Sequence, residues 1–113
     1  MSPEIRWSDF ERVDMRVGLV VRAEPFPEAR HPAYKLWVDL GLLGVKRSSV
    51  QITDRYRPEA LVGRQVVCVV NFPPKQVGPF ISEVLVMGAY TGNPPHVVLL
   101  HPDEPVSPGD RIG

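Results

Sequence analysis

The stretch Arg57-Pro58-Glu59-Ala60-Leu61-Val62-Gly63 decides the fold, because it is a helix signal inside a chain that otherwise has the pattern of strands. Proline suits the first helical position, where its missing N–H is not needed, and glycine suits the position just past the last turn. Only one helical turn fits between these two residues. The stretch therefore predicts a one-turn helix that separates two sets of strands.

The first strand before this helix is predicted from Arg16 to Ala23, where residues alternate with the period of two that is typical of a half-buried strand. One face would carry Val17, Leu19, Val21 and Ala23, and the other Arg16, Val20 and Arg22. Gly18 indicates a bulge or bend, as a tightly coiled barrel needs. Upstream, Ser8 and Glu11 have capping-box spacing and predict a short helix over about Ser8 to Val13.

Two further strands are predicted before the one-turn helix, again from alternation of apolar and polar residues. The second runs from Tyr34 to Leu40, with Leu36, Val38 and Leu40 facing inward and Lys35, Trp37 and Asp39 facing outward. The third has Ser48, Val50 and Ile52 on its inner face and Arg47, Ser49 and Gln51 on its outer face.

After the helix, a fourth strand is predicted from Gln65 to Phe72 and a fifth from about Ser82 to Tyr90. A last apolar strand, Val97 to His101, precedes a tail rich in proline and glycine. Three strands, a short helix and two strands is the order of an OB-fold. We therefore expect an all-β protein: one domain, residues 1–113, with a five-stranded OB-fold barrel, a short N-terminal helix and a C-terminal β extension.

Composition is typical of a soluble globular domain, with 43% hydrophobic and 23% charged residues. No apolar run approaches the ~20 residues of a membrane helix, and Met1 to Arg6 lacks the layout of a signal peptide. The single cysteine, Cys68, excludes an internal disulfide. It lies in the apolar run Val66–Val70, which favours a buried packing role over a reactive thiol. We expect a cytoplasmic protein without membrane insertion.

The formal net charge is zero. A protein that relies on phosphate contacts usually has a basic excess, so any basic surface here must be local. The segment Lys46 to Arg64 has a mild positive excess of this kind. The thirteen prolines, well above the usual ~5%, favour strands joined by rigid turns.

The late strands are apolar on both faces, whereas a small barrel buries only one face of each strand in its interior. Either the N-terminal helix, with Trp7, Phe10 and Val13, covers the second face together with the tail, or a two-fold dimer does. The dimer interpretation predicts an interface of Trp7, Phe10, Val67, Val69, Leu85, Met87 and Val98.

The sequence contains no pattern that predicts catalysis. The three histidines, His31, His96 and His101, are far apart and have no Cys or His at metal-ligand spacing. There is no glycine-rich phosphate loop and no serine-nucleophile elbow. His31 and Glu28 could act as an acid–base pair, or His31 could simply shape its loop. We therefore expect no enzyme activity, no metal and no cofactor, and look for a binding surface.

Two regions are candidates for binding. On the outer face of the second and third strands, a base could stack on Trp37 beside Lys35 and Arg47; alternatively Trp37 presents an apolar patch to a peptide, or the loop Pro25–Pro32 covers it. The loop Asn71 to Phe80 places Phe72 and Phe80 among prolines with Lys75 between them. These rings could form a preformed apolar pocket, or both could plug the end of the barrel.

Several motifs together resemble the tRNA-binding domain family. They are Asp9-Phe10-Glu11-Arg12-Val13-Asp14-Met15-Arg16-Val17-Gly18, His31-Pro32-Ala33-Tyr34-Lys35-Leu36, Pro58-Glu59-Ala60-Leu61-Val62-Gly63 and Ser82-Glu83. That family includes dimeric tRNA-binding proteins and the C-terminal appendage of bacterial methionyl-tRNA synthetases. The resemblance covers nearly the whole chain.

Other motifs resemble the CsaA branch of that family, the export-related chaperones. They are Pro27-Glu28-Ala29-Arg30, Ser48-Ser49-Val50-Gln51-Ile52-Thr53, Val69-Val70-Asn71-Phe72-Pro73-Pro74 and Ser82-Glu83-Val84-Leu85-Val86-Met87-Gly88. The resemblance implies an OB-fold homodimer without an ATPase that binds unfolded or precursor polypeptides and cooperates with the bacterial Sec machinery, with its translocase motor as a candidate partner.

These observations lead to two functional expectations. The first is an ATP-independent polypeptide-binding chaperone, with peptide contacts at Trp37, Asn71, Phe72, Lys75 and Phe80. The second is a tRNA-binding module that uses Lys35, Arg47, Ser49 and Ser82. Ser82 matches the Ser-x-Gly-Met typical of the tRNA-binding branch, whereas Val84 and Leu85 differ from it.

Overall fold

The computed structural model describes residues 1–113. Two short helices, α1 (Trp7–Glu11) and α2 (Pro58–Leu61), and a 3-10 turn at Gly41–Leu43 accompany nine strands. The strands are β1 (Met15–Pro25), β2 (Tyr34–Asp39), β3 (Val45–Val50), β4 (Gln65–Val69), β5 (Lys75–Val77), β6 (Phe80–Ser82), β7 (Leu85–Val86), β8 (Gly88–Thr91) and β9 (His96–Leu99). No helix has the length and hydropathy required to cross a membrane.

The main sheet is antiparallel with the strand order β3-β2-β1-β4-β7. The long strand β1 serves both sides, because Met15–Leu19 pair with β4 and Leu19–Pro25 pair with β2. Strands β5 and β6 form one separate hairpin, and β8 and β9 form another. This nearly closed five-stranded barrel with two short helices confirms the predicted OB-fold.

Side chains and single main-chain bonds, rather than a regular ladder, close the barrel between β3 and the segment Ser82–Val84. The N–H groups of Glu83 and Val84 donate to Arg47 O, at 2.7 and 3.3 Å. The N–H of Arg47 donates to Glu83 Oε1 at 3.1 Å. Ser49 N donates to Ser82 Oγ at 3.0 Å, and the buried hydroxyl of Ser48 donates to Val84 O at 2.8 Å. We call this set of bonds the barrel closure.

The barrel interior confirms the predicted inner faces of the second and third strands. Its buried side chains include Leu36, Val38, Leu40, Ser48, Val50 and Ile52. Leu61 from α2 joins this core. The predicted one-turn helix is present, with Pro58 in its first turn and Gly63 at φ +92° just beyond it. The N–H of Gly63 donates to Val20 O at 2.8 Å, which fastens the end of the helix to β1.

The predicted inner face of the first strand is wrong as far as Val21 and right at Ala23, which packs against the core. Val20, assigned to the outer face, lies in the core, while Val21 is exposed. The reason is a shift in register between Val20 and Arg22 against β2, which places a bulge at Val21 rather than at Gly18. Gly18 serves close packing instead, because an added Cβ would lie 2.2 Å from Val38 Cγ1.

Three predicted boundaries also differ. Helix α1 follows Arg6 rather than Ser8, because the Asp9 carboxylate accepts the N–H of Arg6 at 2.9 Å. Strand β4 ends at Val69 instead of Phe72. The predicted fifth strand is divided into β6, β7 and β8, since the chain turns at Glu83 to bond with β3.

The C-terminal tail covers part of the second apolar face. It runs along the first half of β1, where Gly109 N donates to Val17 O at 2.7 Å and Ile112 N donates to Met15 O at 2.8 Å. Val17, Val67 and Val69 are buried within the single chain. The chain itself therefore covers this part of the second face, as one of the two sequence interpretations expected.

An ion-pair cluster joins the tail to the start of β1. Asp14 Oδ1 lies 2.7 Å from Arg16 Nε and 3.8 Å from Arg111 Nε. The hydrogen bond from Arg16 holds the pKa of Asp14 below its usual value, so Asp14 stays ionised in mildly acidic solution.

The barrel closure predicts a stability effect of Ser48→Ala. Because removing the hydroxyl leaves the buried Val84 O without this donor, we expect a loss of about 1–2 kcal/mol of unfolding free energy. That corresponds to a fall in Tm of about 4–8 °C per kcal/mol, measured by circular dichroism.

Ser49→Ala is the matched control, because the Ser49 side chain faces outward and its hydroxyl has no hydrogen-bond partner. We expect a change within about 0.5 kcal/mol. Equal destabilisation by the two substitutions would show that the Ser48 hydroxyl has no special role in closing the barrel.

Candidate functional site

An aromatic cluster covers the outer face of the barrel. The predicted loop Asn71–Phe80 includes β5 and the start of β6, whose hairpin brings Phe80 against Trp37 of β2. The ring centroid of Phe80 lies 5.5 Å from that of Phe26 and 5.9 Å from that of Trp37, both edge-on. Phe80 is only 7% exposed. It is therefore a packing residue of this cluster rather than an exposed peptide contact.

Phe72 and Phe80 do not form the common pocket that the sequence suggested, and they do not plug the barrel end together. Phe72 is 53% exposed, and it lines a different surface from the aromatic cluster. Trp37 is half-buried and packs against that cluster, so the outward Trp37 is partly covered.

Cationic side chains surround the aromatic cluster. The Arg22 guanidinium carbon lies 4.3 Å from the centroid of the Trp37 ring. Lys35 Nζ lies 5.9 Å and the Arg47 guanidinium carbon 5.5 Å from the centroid of Phe80. All three distances lie within the range of a cation–π attraction. We call Arg22, Lys35, Trp37, Arg47 and Phe80 the basic aromatic surface.

Carboxylates partly neutralise this surface. Glu24 pairs with Arg22 and lies 3.8 Å from Lys35 Nζ. Glu83 Oε1 lies 3.3 Å from Arg47 Nε. The cations are thus held in place before any ligand arrives, and a phosphate would have to compete with these two carboxylates.

A cleft of about 740 Å³ lies between β3, the β5–β6 hairpin and the loop after β1. It brings together four residues predicted to bind peptide or tRNA: Phe72, Lys75, Ser49 and Ser82. Arg30 and Glu83 also border it. We call this the first cleft.

A second cleft of about 710 Å³ continues from the first and shares His31, Ser49, Gln51 and Leu85 with it. One wall is the segment Gln51–Asp54, and the opposite wall comes from β7, β8 and the start of β9. Tyr56 fixes that opposite wall, because its hydroxyl accepts the N–H of Leu99 at 2.9 Å. The Tyr34 hydroxyl in turn donates to Tyr56 O at 2.6 Å.

Sequence reasoning missed a pair at the edge of the second cleft. His96 Nδ1 lies 3.3 Å from Asp54 Oδ2. The two residues are 42 positions apart in the chain, and neither belongs to a recognisable motif. No signal in the sequence could have joined them before the fold was known.

Asn71, predicted to contact peptide, has a structural role. Its Oδ1 accepts the N–H of Asp14 at 3.0 Å, and its Nδ2 donates to Arg12 O at 2.7 Å. The side-chain amide thus fastens the end of α1 to the chain after β4. Ser82 and Arg47, predicted to bind tRNA, take part in the barrel closure.

The predicted interface residues divide into three groups. Val67 and Val69 are buried in the single chain, whereas Trp7 and Leu85 are 69% and 50% exposed. Phe10, Met87 and Val98 are half-buried. The rings of Trp7 and Phe10 pack at a tilt, with their centroids 5.3 Å apart. The exposed part of the predicted interface is thus the α1 pair together with β7.

The remaining reactive side chains are separate from one another. Cys68 is buried, and burial raises the pKa of its thiol to about 12, so it packs as an apolar residue and the reactive-thiol alternative has no support. Glu28 and His31 are both exposed and form no ion pair. No cluster of three or more His, Cys, Asp or Glu side chains is placed to hold a metal ion.

The solved structures similar to this chain include two CsaA chaperones. One is the chaperone CsaA from Bacillus anthracis, with 50% identity and a TM-score of 0.92 over 98% of this chain and 100% of that chain. The other is the CsaA chaperone protein from Picrophilus torridus, with 48% identity and a TM-score of 0.91 over 97% and 100%.

Among curated proteins, a methionine–tRNA ligase from Bdellovibrio bacteriovorus is 35% identical over 109 residues. The match covers 96% of this chain but only 16% of the ligase. Residues 15–111 match the model of the tRNA binding domain family. The chain therefore belongs to the tRNA binding domain family, and within it the chain is similar over nearly its whole length to CsaA-type chaperones.

Proposed function

We propose that this chain is an ATP-independent chaperone that binds unfolded or precursor polypeptides in the two connected clefts. The observation that carries the proposal is the continuous pair of clefts, of about 740 and 710 Å³, with the exposed ring of Phe72 at one end. An exposed ring beside an open cleft suits apolar side chains of a non-native chain. The similarity to two solved chaperones supports the same function.

Charge also supports a polypeptide ligand for the clefts. The first cleft has Arg30 and Lys75 opposed by Glu83, and the second has Asp54 but no Lys or Arg. Such mixed walls suit backbone and apolar groups better than a run of phosphates. We further propose that the clients are destined for Sec-dependent export from the cytoplasm, with the Sec translocase motor as the receiving partner.

The proposal predicts that Phe72→Ala weakens binding of an unfolded presequence peptide about tenfold. Full burial of a phenylalanine ring is worth about 1.5–3 kcal/mol, and about 1.4 kcal/mol corresponds to a factor of ten in Kd. Fluorescence anisotropy of the labelled peptide measures the effect.

Leu42→Ala provides the control, because Leu42 is an apolar side chain that is even more exposed than Phe72 and borders neither cleft. We expect its Kd to stay within about twofold of wild type. Equal peptide affinity in wild type and Phe72→Ala would remove the first cleft from the proposal.

Binding of tRNA is a second candidate, favoured by the basic aromatic surface and by the family to which the chain belongs. An edge of the Trp37 ring and three cations could contact a sugar–phosphate backbone. The three cations of this surface lie on β1, β2 and β3, the region where OB-folds often bind nucleic acid.

If tRNA binds there, Lys35→Ala should weaken tRNA binding. The plot of log K against log salt concentration should also become less steep, by about 0.9, the value for one lost phosphate contact in a duplex. Arg12→Ala, which removes an exposed cation outside this surface, should leave the slope unchanged. A slope that stays the same in Lys35→Ala would show that tRNA binds elsewhere or not at all.

We also propose a homodimer formed through the exposed part of the predicted interface. Trp7 and Leu85 are large apolar side chains that a partner would cover. Leu85 and Met87 also border the clefts, so two copies would place their clefts next to the interface. A dimer would then offer two clefts to one extended client and bind it with avidity.

The dimer predicts that Leu85→Arg shifts the protein to a monomer in sedimentation velocity at micromolar concentration, because it places an unpaired charge in an apolar contact. Val62→Arg, at another half-exposed aliphatic residue, should leave the dimer intact. A wild-type protein that sediments as a monomer would overturn this part of the proposal.

A further inference from the structure

The segment Gln51–Asp54, which follows β3, forms one wall of the second cleft and has unused main-chain groups. None of its four N–H groups donates a main-chain hydrogen bond, and its only main-chain acceptor is Ile52 O, which accepts Arg55 N at 3.5 Å. Backbone polar groups in a protein usually find a partner, in the chain, in water or in a ligand. The chain turns at Thr53–Arg55, and Gln51, just beyond the end of β3, has main-chain groups without a protein partner.

The direction of the free groups follows from the register of β3. Arg47 and Ser49 point their N–H groups away from β2 and toward Ser82 and Glu83. In an antiparallel strand, every second residue directs its amide to the same side. Burial alternates as far as Ile52, so the chain is still extended at Gln51, and the Gln51 main chain points to the same side as that of Ser49.

The barrel closure occupies this edge of β3 only as far as Ser49. At Gln51, two residues further on, the edge borders the second cleft instead of another strand. The cleft therefore begins where protein pairing of β3 ends. A peptide strand that enters the cleft would therefore lie along the same edge of β3 to which Ser82–Val84 are bonded, two residues further along the chain.

We propose that the second cleft binds an extended polypeptide segment by strand addition, through main-chain hydrogen bonds to the N–H and C=O of Gln51. The inference rests on the proposed chaperone function and gives it a recognition mode. Strand addition takes its affinity from the main chain. It therefore accepts many sequences, as a chaperone for unfolded clients requires.

The occupant is a polypeptide because the wall offers both a donor and an acceptor at main-chain spacing. The side chains around the cleft include Asp54 and His96 but neither Lys nor Arg, so it lacks the cations that a nucleic acid backbone needs. Exposed Tyr90 at the opposite wall adds an apolar face for the side chains of the bound segment.

Gln51→Pro tests the inference directly. It removes the free N–H without breaking a bond within the chain, and the extended strand residue Val50 is compatible with a following proline. Gln51→Ala is the matched control, since it removes the side chain but keeps the N–H. With a labelled presequence peptide in fluorescence anisotropy, we expect Gln51→Pro to raise Kd about five- to tenfold and Gln51→Ala to leave it within about twofold.

A second measurement on the wild-type protein uses the same peptide with its central backbone amides N-methylated. The side chains are kept and the main-chain donors are lost, so we expect at least a tenfold loss of affinity. This measurement decides the question if Gln51→Pro does not fold by circular dichroism.

The outcomes separate the two proposals. Wild-type affinity of both Gln51→Pro and the N-methylated peptide would overturn strand addition while leaving the chaperone function in place. Absence of peptide binding by the wild-type protein, at low and moderate salt, would overturn the proposed function itself.

Discussion

The hydrogen bonds between Arg47-Ser48-Ser49 and Ser82-Glu83-Val84 are the interaction on which the rest of the structure depends. A five-stranded barrel needs its first and last strands in the sheet to meet, and here that meeting is made by side chains as much as by main chain. The same bonds interrupt what would otherwise be one continuous fifth strand, and they hold the β5–β6 hairpin over β2. The aromatic cluster, the first cleft and the open edge at Gln51 are all placed by this contact.

The Ser82-Glu83 motif, part of the resemblance to the family, has a structural role in the barrel closure. The Ser82 hydroxyl accepts from Ser49 N, and the Glu83 carboxylate accepts from Arg47 N and pairs with its guanidinium. A motif of this kind can identify a family through the geometry that it maintains. Residues with free polar groups near it, such as Lys75 and Gln51, are then better candidates for contact with a ligand.

Much of the fold could be predicted because the relevant signals are local. Alternation identified the inner faces of β2 and β3, and the Pro58–Gly63 pattern identified α2. The bulge at Val21 could not be predicted, since it depends on the pairing of β1 with two strands at once. The same holds for the role of Asn71, because its side-chain amide makes hydrogen bonds to Asp14 and Arg12, which lie 57 and 59 positions away in the chain. The candidate site was predicted in part, because the sequence identified Phe72 and Lys75. The separation of the cleft from the aromatic cluster was not predicted, since it depends on the β5–β6 hairpin, which the sequence analysis read as a loop.

Position along β3 and just beyond its end gives a physical reason for two separate candidate surfaces on so small a barrel. Arg47 directs its side chain toward Phe80 and Glu83, into the basic aromatic surface. Ser49, two residues further along β3, and Gln51, just beyond its end, border the clefts. Charge therefore collects at one end of the strand, and the unused main-chain groups lie just beyond the other end. A ligand that needs cations and a ligand that needs a strand partner would meet different parts of β3. Because the barrel closure holds both parts of β3, a substitution that loosens it would weaken the binding of both ligands. A substitution at Gln51 or at Lys35 would weaken the binding of only one of them.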